Sequence, residues 1–223
     1  METSDAAAAE YCDLRDSIVQ GALIHAAFDG WTMKALAAGA ADAGLTSDDA
    51  ARAFPNGVVQ AAEHLSDWAD RLMLARLALQ DVDSMRMRDR IILGVRARLE
   101  VLAANREGAR RVLGFTALPA HAGLASRCVY RTVDAIWHAA GDRSADFSFY
   151  TKRGLLAAVY GSTVLYWLAD DSENSADTWT FLDRRIADVM RIPGIKERLW
   201  KPFAQMARAA GNLCGGQSSR RSS

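Results

Sequence analysis

Cysteine is scarce in this chain of 223 residues: Cys12, Cys128 and Cys214 are an odd number and form no CxxC pair. That argues against a disulfide framework or a structural zinc site and for a reducing compartment, with Cys128 a small apolar filler. Proline is sparse, and Pro55, Pro119, Pro193 and Pro202 all sit at or near expected helix boundaries. Alternating β-branched residues are almost absent, which leaves little basis for a sheet. Net charge is lacking as well, because 27 Lys and Arg balance 27 Asp and Glu, so nothing in the overall balance recruits nucleic acid or an anionic membrane. The longest apolar run, Gly154 to Leu168, falls short of the roughly 20 residues a membrane span needs and reads as a buried central helix. The amino terminus METSDAAAAEYCDLRD carries acids and lacks both a basic leader region and the Arg-rich, acid-poor character of a transit peptide. The expectation is a protein that stays where it is made. Catalytic patterns are missing too: His25, His64, His121 and His138 are scattered, with no HExxH, no ExxH and no phosphate-cradling glycine loop. Asp134 and His138 share a helix face at i, i+4, which suits a surface hydrogen bond better than a metal site. The expectation is therefore a non-enzyme without catalytic residues, metal or cofactor.

What is present is 50% hydrophobic content, rich in Ala, Leu and Arg, enough for one substantial core in one domain or a small lobe joined to a larger one. The pattern predicts an all-α fold of about ten helices, near 13–28, 33–43, 47–53, 56–81, 86–104, 106–116, 120–140, 146–169, 176–191 and 195–210. Thr32 and Ser47 serve as amino-terminal caps, Pro55 as a first-turn residue, and Gly30, Gly44 and Gly141 as stops. The division that follows is a flexible amino terminus over 1–12, a helix-turn-helix-like lobe over 13–55, a lipid-binding and dimerisation bundle over 56–192, an amphipathic helix over 193–214 and a disordered tail over 215–223.

The lobe resembles the amino-terminal domain of TetR-type regulators, whose third helix enters the major groove. Its charges oppose that use. From Arg15 to Asp70 there are three cations, Arg15, Lys34 and Arg52, against eight anions, a net of minus five, and Asp48 and Asp49 occupy the start of the would-be recognition helix. A DNA reader must neutralise phosphates, so the lobe is expected to be a vestigial scaffold. A ligand-responsive repressor is the alternative.

From Trp137 to Ile192 aromatic and charged side chains stand together. Asp146, Phe149, Tyr150 and Arg153 recur at i, i+3, i+4 and i+7 and share one helix face. Such a mixture suits an interface, although Ser144 or Asp146 could equally cap the helix while Phe149 and Tyr150 plug the core. The runs GDRSADFSFYTKR, LLAAVYGST and DTWTFLDRRI resemble the ubiquinone (coenzyme Q) biosynthesis accessory lipid-binding family, whose signature is close to GD-S-DF-WYT-R followed by DTW-FL. Phe149 stands where that family commonly has Trp. The resemblance implies a TetR-like homodimer, of bacterial type, that binds an isoprenoid or phospholipid and docks on a membrane through its last helix. It also implies presentation of a polyprenylated quinone precursor to a di-iron demethoxyubiquinone hydroxylase or another hydroxylase of that pathway. Carried over position by position, the partner patch is Asp134, Ile136, Asp146, Phe149, Tyr150 and Arg153. The location implied is cytoplasmic, peripheral to the inner membrane.

A lipid site needs a long apolar cavity, and bulky residues at helical spacing give its candidate wall as Trp68, Leu72, Leu99, Leu102, Val133, Trp137 and Tyr160. On the 154–168 helix Gly154, Ala157, Ala158, Gly161 and Ser162 form a small face, which suits close packing, including at a dimer interface, or ligand volume. In MRMRDRIILGVRARLEVLAANREGARR, Ile91, Val95, Leu99 and Leu102 face inward and the arginines outward to solvent or lipid headgroups. The carboxy-terminal segment gathers Leu199, Phe203 and Met206 on a stripe with Trp200 at its edge and Lys196 and Lys201 flanking, a candidate membrane contact that could instead dock on the bundle. Pro202 kinks or restarts that helix.

Overall fold

The computed structural model describes residues 2–142 and 147–191, with the side chains of 2–5, 83 and 147–149 left aside. Every regular element among the described residues is helical. In chain order they are α1 (Glu2–Asp29), α2 (Met33–Asp42), α3 (Ser47–Ala53), α4 (Gly57–Ala78), α5 (Met87–Leu102), α6 (Arg106–Thr116), α7 (Ala122–Ala139), α8 (Phe147–Ala169) and α9 (Ala176–Arg191), with short 3-10 turns between some of them. The helix expected over 195–210, its membrane-contact residues Lys196, Leu199, Trp200, Lys201, Phe203 and Met206, and the tail over 215–223 lie outside the described residues.

Local chemistry sets the boundaries. The Ala35 N–H donates to the Thr32 hydroxyl at 3.3 Å and starts α2. For α3 the cap is Thr46 rather than Ser47: the Asp49 N–H donates to the Thr46 hydroxyl at 3.2 Å while the Thr46 N–H donates to the Asp49 carboxylate at 2.8 Å, a reciprocal capping box. Pro55 precedes Asn56, the cap of α4, and so stands outside the helix whose first turn it was expected to occupy. Gly44 ends α2 at φ +74°, a left-handed backbone that residues with a Cβ avoid. There the Leu45 N–H reaches the Ala40 carbonyl at 2.8 Å and the Gly44 N–H the Ala41 carbonyl at 3.0 Å, using up carbonyls the helix leaves free.

Helix α1 starts at Glu2, where a flexible segment was expected up to residue 12. The Ala-rich run favours helix, and the Tyr11 hydroxyl lies 3.3 and 3.4 Å from the carbonyls of Arg52 and Ala53 at the end of α3. Close packing of the lobe depends on glycine. A Cβ on Gly21 would sit 2.7 Å from the Gly39 Cα, and one on Gly108 would collide with the Leu23 carbonyl, so α1 lies directly on α2 and α6. Helix α4 then packs on α5 and α7, α7 on α8, and α8 on α9, which returns to α5. One core runs through these layers, from Ile18 and Leu23 through Met73, Val95 and Ile136 to Trp167 and Leu182.

Helix α8 is not the buried central helix its apolar run suggests. Gly154, Ala158 and Leu165 are exposed, and a Cβ on Gly154 or Gly161 would meet nothing within 4 Å. Its carboxy-terminal end is held by α6: Arg106 donates to the Trp167 carbonyl and Arg110 to the Leu168 carbonyl, cations placed where a helix terminus is negative. Asp170 then ties this end to α9 by accepting from the Ser172 N–H at 2.8 Å and the Thr178 N–H at 2.9 Å.

Candidate functional site

Two of the cavities formed by the described residues lie within the bundle. The larger, of about 340 Å³, is enclosed by α4 to α8; Leu65, Leu99, Leu102, Val112, Leu113, Val164 and Leu168 give it apolar walls, and Leu165, 70% exposed, marks its mouth. The smaller, of about 190 Å³, lies among α5, α7, α8 and α9 and is lined by Ile91, Trp137, Leu156, Val159, Ile186 and three methionines, Met85, Met87 and Met190. An open groove between α7 and α8 adds Val129, Val133, Tyr150 and Ala157.

The expected lipid wall is thus distributed. Leu99, Leu102 and Tyr160 line the larger cavity, Trp137 the smaller, and Val133 the groove. Trp68 is buried in the core, and Leu72, 37% exposed, faces outward from α4 rather than into a cavity. Sequence reading missed Met85, Met87 and Met190, whose flexible thioethers suit an adaptable apolar lining.

It also missed a polar cluster at one end of the larger cavity. Arg98 is 4% exposed and does not join the outward arginines of α5. Its Nε donates to Asp70 at 2.7 Å, and the same carboxylate accepts from the Thr132 hydroxyl at 2.8 Å and from Arg131 at 3.4 Å. Burial pushes the Tyr160 hydroxyl and the Cys128 thiol above their ordinary pKa values. Both therefore stay protonated, and Cys128 lacks the thiolate that reactivity requires.

The expected partner patch separates into buried and open parts. Ile136, 1% exposed, packs against Gly94 of α5 and belongs to the core, not to a surface. Arg153 is buried too: its guanidinium reaches Asp134 at 2.6 Å and Asp142 at 3.5 Å. Asp134 thus pairs across to α8, and His138, expected as its helix-surface partner, stays exposed. Beside them Lys152, fully enclosed, donates to Asp142 at 2.8 Å, and the Trp137 indole N–H donates to the Lys152 carbonyl at 3.2 Å. These bonds fasten the beginning of α8 to α7. Among the described members of the set Tyr150, at 71%, is the most exposed. Asp146 lies outside the described residues, as does the side chain of Phe149.

A third cluster joins α1 to α4. Asp16 accepts from both terminal nitrogens of Arg71, at 2.9 and 2.6 Å, and from His64 Nε2 at 2.7 Å, and Cys12 completes a group with potential metal-ligand spacing. The guanidinium already takes both oxygens a cation would use. Burial pushes the His64 pKa below its ordinary 6.5, and Arg15 reinforces the shift. The folded state consequently binds fewer protons here than the unfolded chain, so this contribution to stability is present above pH 6.5 and declines as pH falls below it. Urea unfolding at pH 7.5 and 5.5 is expected to give a lower stability at the acidic value, and the difference is expected to shrink in His64→Gln. An equal difference in the variant would place the titration elsewhere.

A small amino-terminal lobe of three helices on a larger bundle with a ligand-sized apolar cavity defines a TetR-like helical fold. The crystal structure of the TetR transcriptional regulator from Nitrosomonas europaea ATCC 19718 superposes with a TM-score of 0.64 at 25% identity, over 79% of this chain and 97% of that one. Residues 122–193 match the COQ9 family model. The mitochondrial ubiquinone biosynthesis protein COQ9 of Homo sapiens is 32% identical over 185 residues, 80% of this chain and 58% of that protein, and its Drosophila melanogaster counterpart is 32% identical over 193 residues, 84% and 59%. This chain belongs to the COQ9 family. It spans about three fifths of the length of the curated relatives it matches.

Proposed function

We propose that the protein is a non-catalytic accessory factor of ubiquinone biosynthesis that binds an isoprenoid or related lipid and presents a polyprenylated quinone intermediate to a hydroxylase at a membrane surface. The single observation that carries this reading is the larger cavity: an apolar volume within a helical bundle, open on the α8 side, in a chain whose relatives are named for ubiquinone biosynthesis. The mechanism is physical. A long prenyl chain is nearly insoluble, and covering part of it with protein lowers the cost of bringing its ring to an enzyme. Cytoplasmic location and peripheral membrane docking belong to the proposal. No helix of the described residues is long and apolar enough to cross a membrane. A homodimer through α8 and α9 fits the uncovered glycines and Leu165 of α8, with Tyr166 stacked on Phe181 at 4.5 Å where the two helices meet.

Organic extraction of the purified protein followed by mass spectrometry is expected to yield a prenyl lipid or phospholipid. Recovery of a small polar compound instead would count against the reading.

The likeness to a solved regulator keeps a ligand-responsive repressor as a second reading. Against it, Asp49 is engaged in the cap of α3, and the Thr46 hydroxyl, followed by the Thr46 backbone and Arg52, holds its carboxyl down at about 2. Asp49 thus stays negative at the helix start where phosphate contacts are expected, and it engages Arg52, one of the lobe's three cations. No sequence-specific, salt-sensitive gel shift with upstream DNA is expected; observing one would favour the repressor.

A further inference from the structure

The larger cavity carries one charged group that its apolar walls do not explain. Arg98 lines it; Nε is committed to Asp70 at 2.7 Å and Nη2 approaches the Ser66 carbonyl at 3.3 Å, while Nη1 is buried without a hydrogen-bond partner. A buried donor left unmade costs its full desolvation, so such groups are normally satisfied by protein, water or ligand. Arg98 is the charged side chain among the residues that line this cavity, and its partner Asp70 is shared with Arg131, which also reaches Asp67 at 3.9 Å. Tyr160, from α8, lines the same end and keeps its proton.

We propose that this polar end receives an acceptor oxygen at the head of the bound lipid: the ligand enters head first, sets a phenol, carbonyl or carboxyl oxygen on Arg98, and runs its chain out toward Leu165. The inference rests on the lipid-binding reading and names the class of ligand for that site. Ammonium-headed lipids are disfavoured by the Arg98 guanidinium. A volume of about 340 Å³ is at the low end of the roughly 300–1,000 Å³ of ligand pockets. It accommodates a small head and the first part of one chain. A longer tail continues through the mouth. An aromatic head and a fatty acid offer the same acceptor chemistry to Arg98, so the probes must separate them.

The full chain is titrated calorimetrically with a farnesyl-substituted phenol, with farnesylbenzene, which lacks the oxygen, and with farnesoic acid. At least one oxygenated probe is expected to bind about tenfold tighter than farnesylbenzene, the scale of one hydrogen bond to a charged group. A preference for the phenol assigns the site to ring-headed lipids, and a preference for the acid to fatty acids. In the double variant Arg98→Met with Asp70→Leu, which removes the buried charges together, this preference is expected to vanish while farnesylbenzene affinity stays within about threefold. Equal affinity of the native protein for all three probes overturns the proposal whether or not the variant folds. A preference that survives intact in a folded variant overturns it as well. Failure of every probe to bind would instead remove the lipid-cavity reading on which it rests.

Discussion

Asp70→Ala is expected to cost about 3–5 kcal/mol of stability, the scale seen when one member of a buried ion pair is removed and the other remains. Asp70 and Arg98 are both enclosed, and the carboxylate is also the acceptor for the Thr132 hydroxyl. Removing it strands a guanidinium that cannot reach bulk water. Arg131, 38% exposed at its side chain, can instead turn outward. For a chain of this length each kcal/mol moves the melting temperature by roughly 2–4 °C, so a drop of order 10 °C is the expected reading.

The double substitution Asp70→Leu with Arg98→Met distinguishes an expensive charge from a generally intolerant site. Replacing both members of a buried pair by apolar groups of similar volume is commonly near neutral or stabilising, so the double variant is expected to recover most of the loss. Thr132 can then donate to a carbonyl one turn earlier. Urea unfolding of the native protein, Asp70→Leu, Arg98→Met and the double variant closes the cycle. A loss below about 1 kcal/mol in Asp70→Ala would mean that Arg98 finds a substitute partner, such as water in the cavity.

Why this pair was invisible, while the helices around it were not, follows from the range of the interactions involved. Caps and stops are local. Thr32, Gly30, Gly44 and Gly141 announce boundaries within a few residues, and the three left-handed glycines stand where the stops were expected. The Thr46 cap was displaced by only one residue because Ser47 is an equally good capping type. Asp70 and Arg98 are 28 residues apart on helices rich in solvated charge, and only the folded packing of α4 on α5 brings them together. One signal was available: Arg98 falls within the stripe of Ile91, Val95 and Leu102, where a cation has no reason to point outward.

The aromatic and charged segment was legible as unusual but not as geometry. Tyr150 and Arg153 do share one side of α8, yet a three-residue step still separates them around the helix, enough to turn one to solvent and the other toward Asp134 on α7. Ile136 falls one turn from Val133 on the buried stripe of α7, which its placement by resemblance overrode. The DTW run proves largely structural. The Thr178 hydroxyl donates to Asp170, and the Trp179 indole N–H donates to the Asn174 carbonyl at 2.8 Å. The small face of α8 was visible in the sequence, but not whether it is covered within the chain, because the helix is apolar nearly all round and such a pattern does not say which side another surface will cover.

Tyr150→Ala is expected to weaken binding of the proposed hydroxylase partner by about 2 kcal/mol, roughly 30-fold in Kd, as for an aromatic anchor at an interface. Its ring is mostly exposed beside the groove formed with Val129, Tyr130 and Val133, and truncating it opens no core cavity. Stability is therefore expected to remain within about 0.5 kcal/mol of the native value. Ile136→Ala supplies the contrast, because that side chain is buried against Gly94 and its truncation is expected to cost about 2–5 kcal/mol of stability. Binding measured by surface plasmon resonance, with thermal unfolding on the same preparations, separates the two positions. If Tyr150→Ala binds normally, the exposed face of α8 serves a different contact, with a second copy of this chain the next to test by sedimentation. If it instead melts as early as Ile136→Ala, the ring supports the fold and the partner surface lies elsewhere.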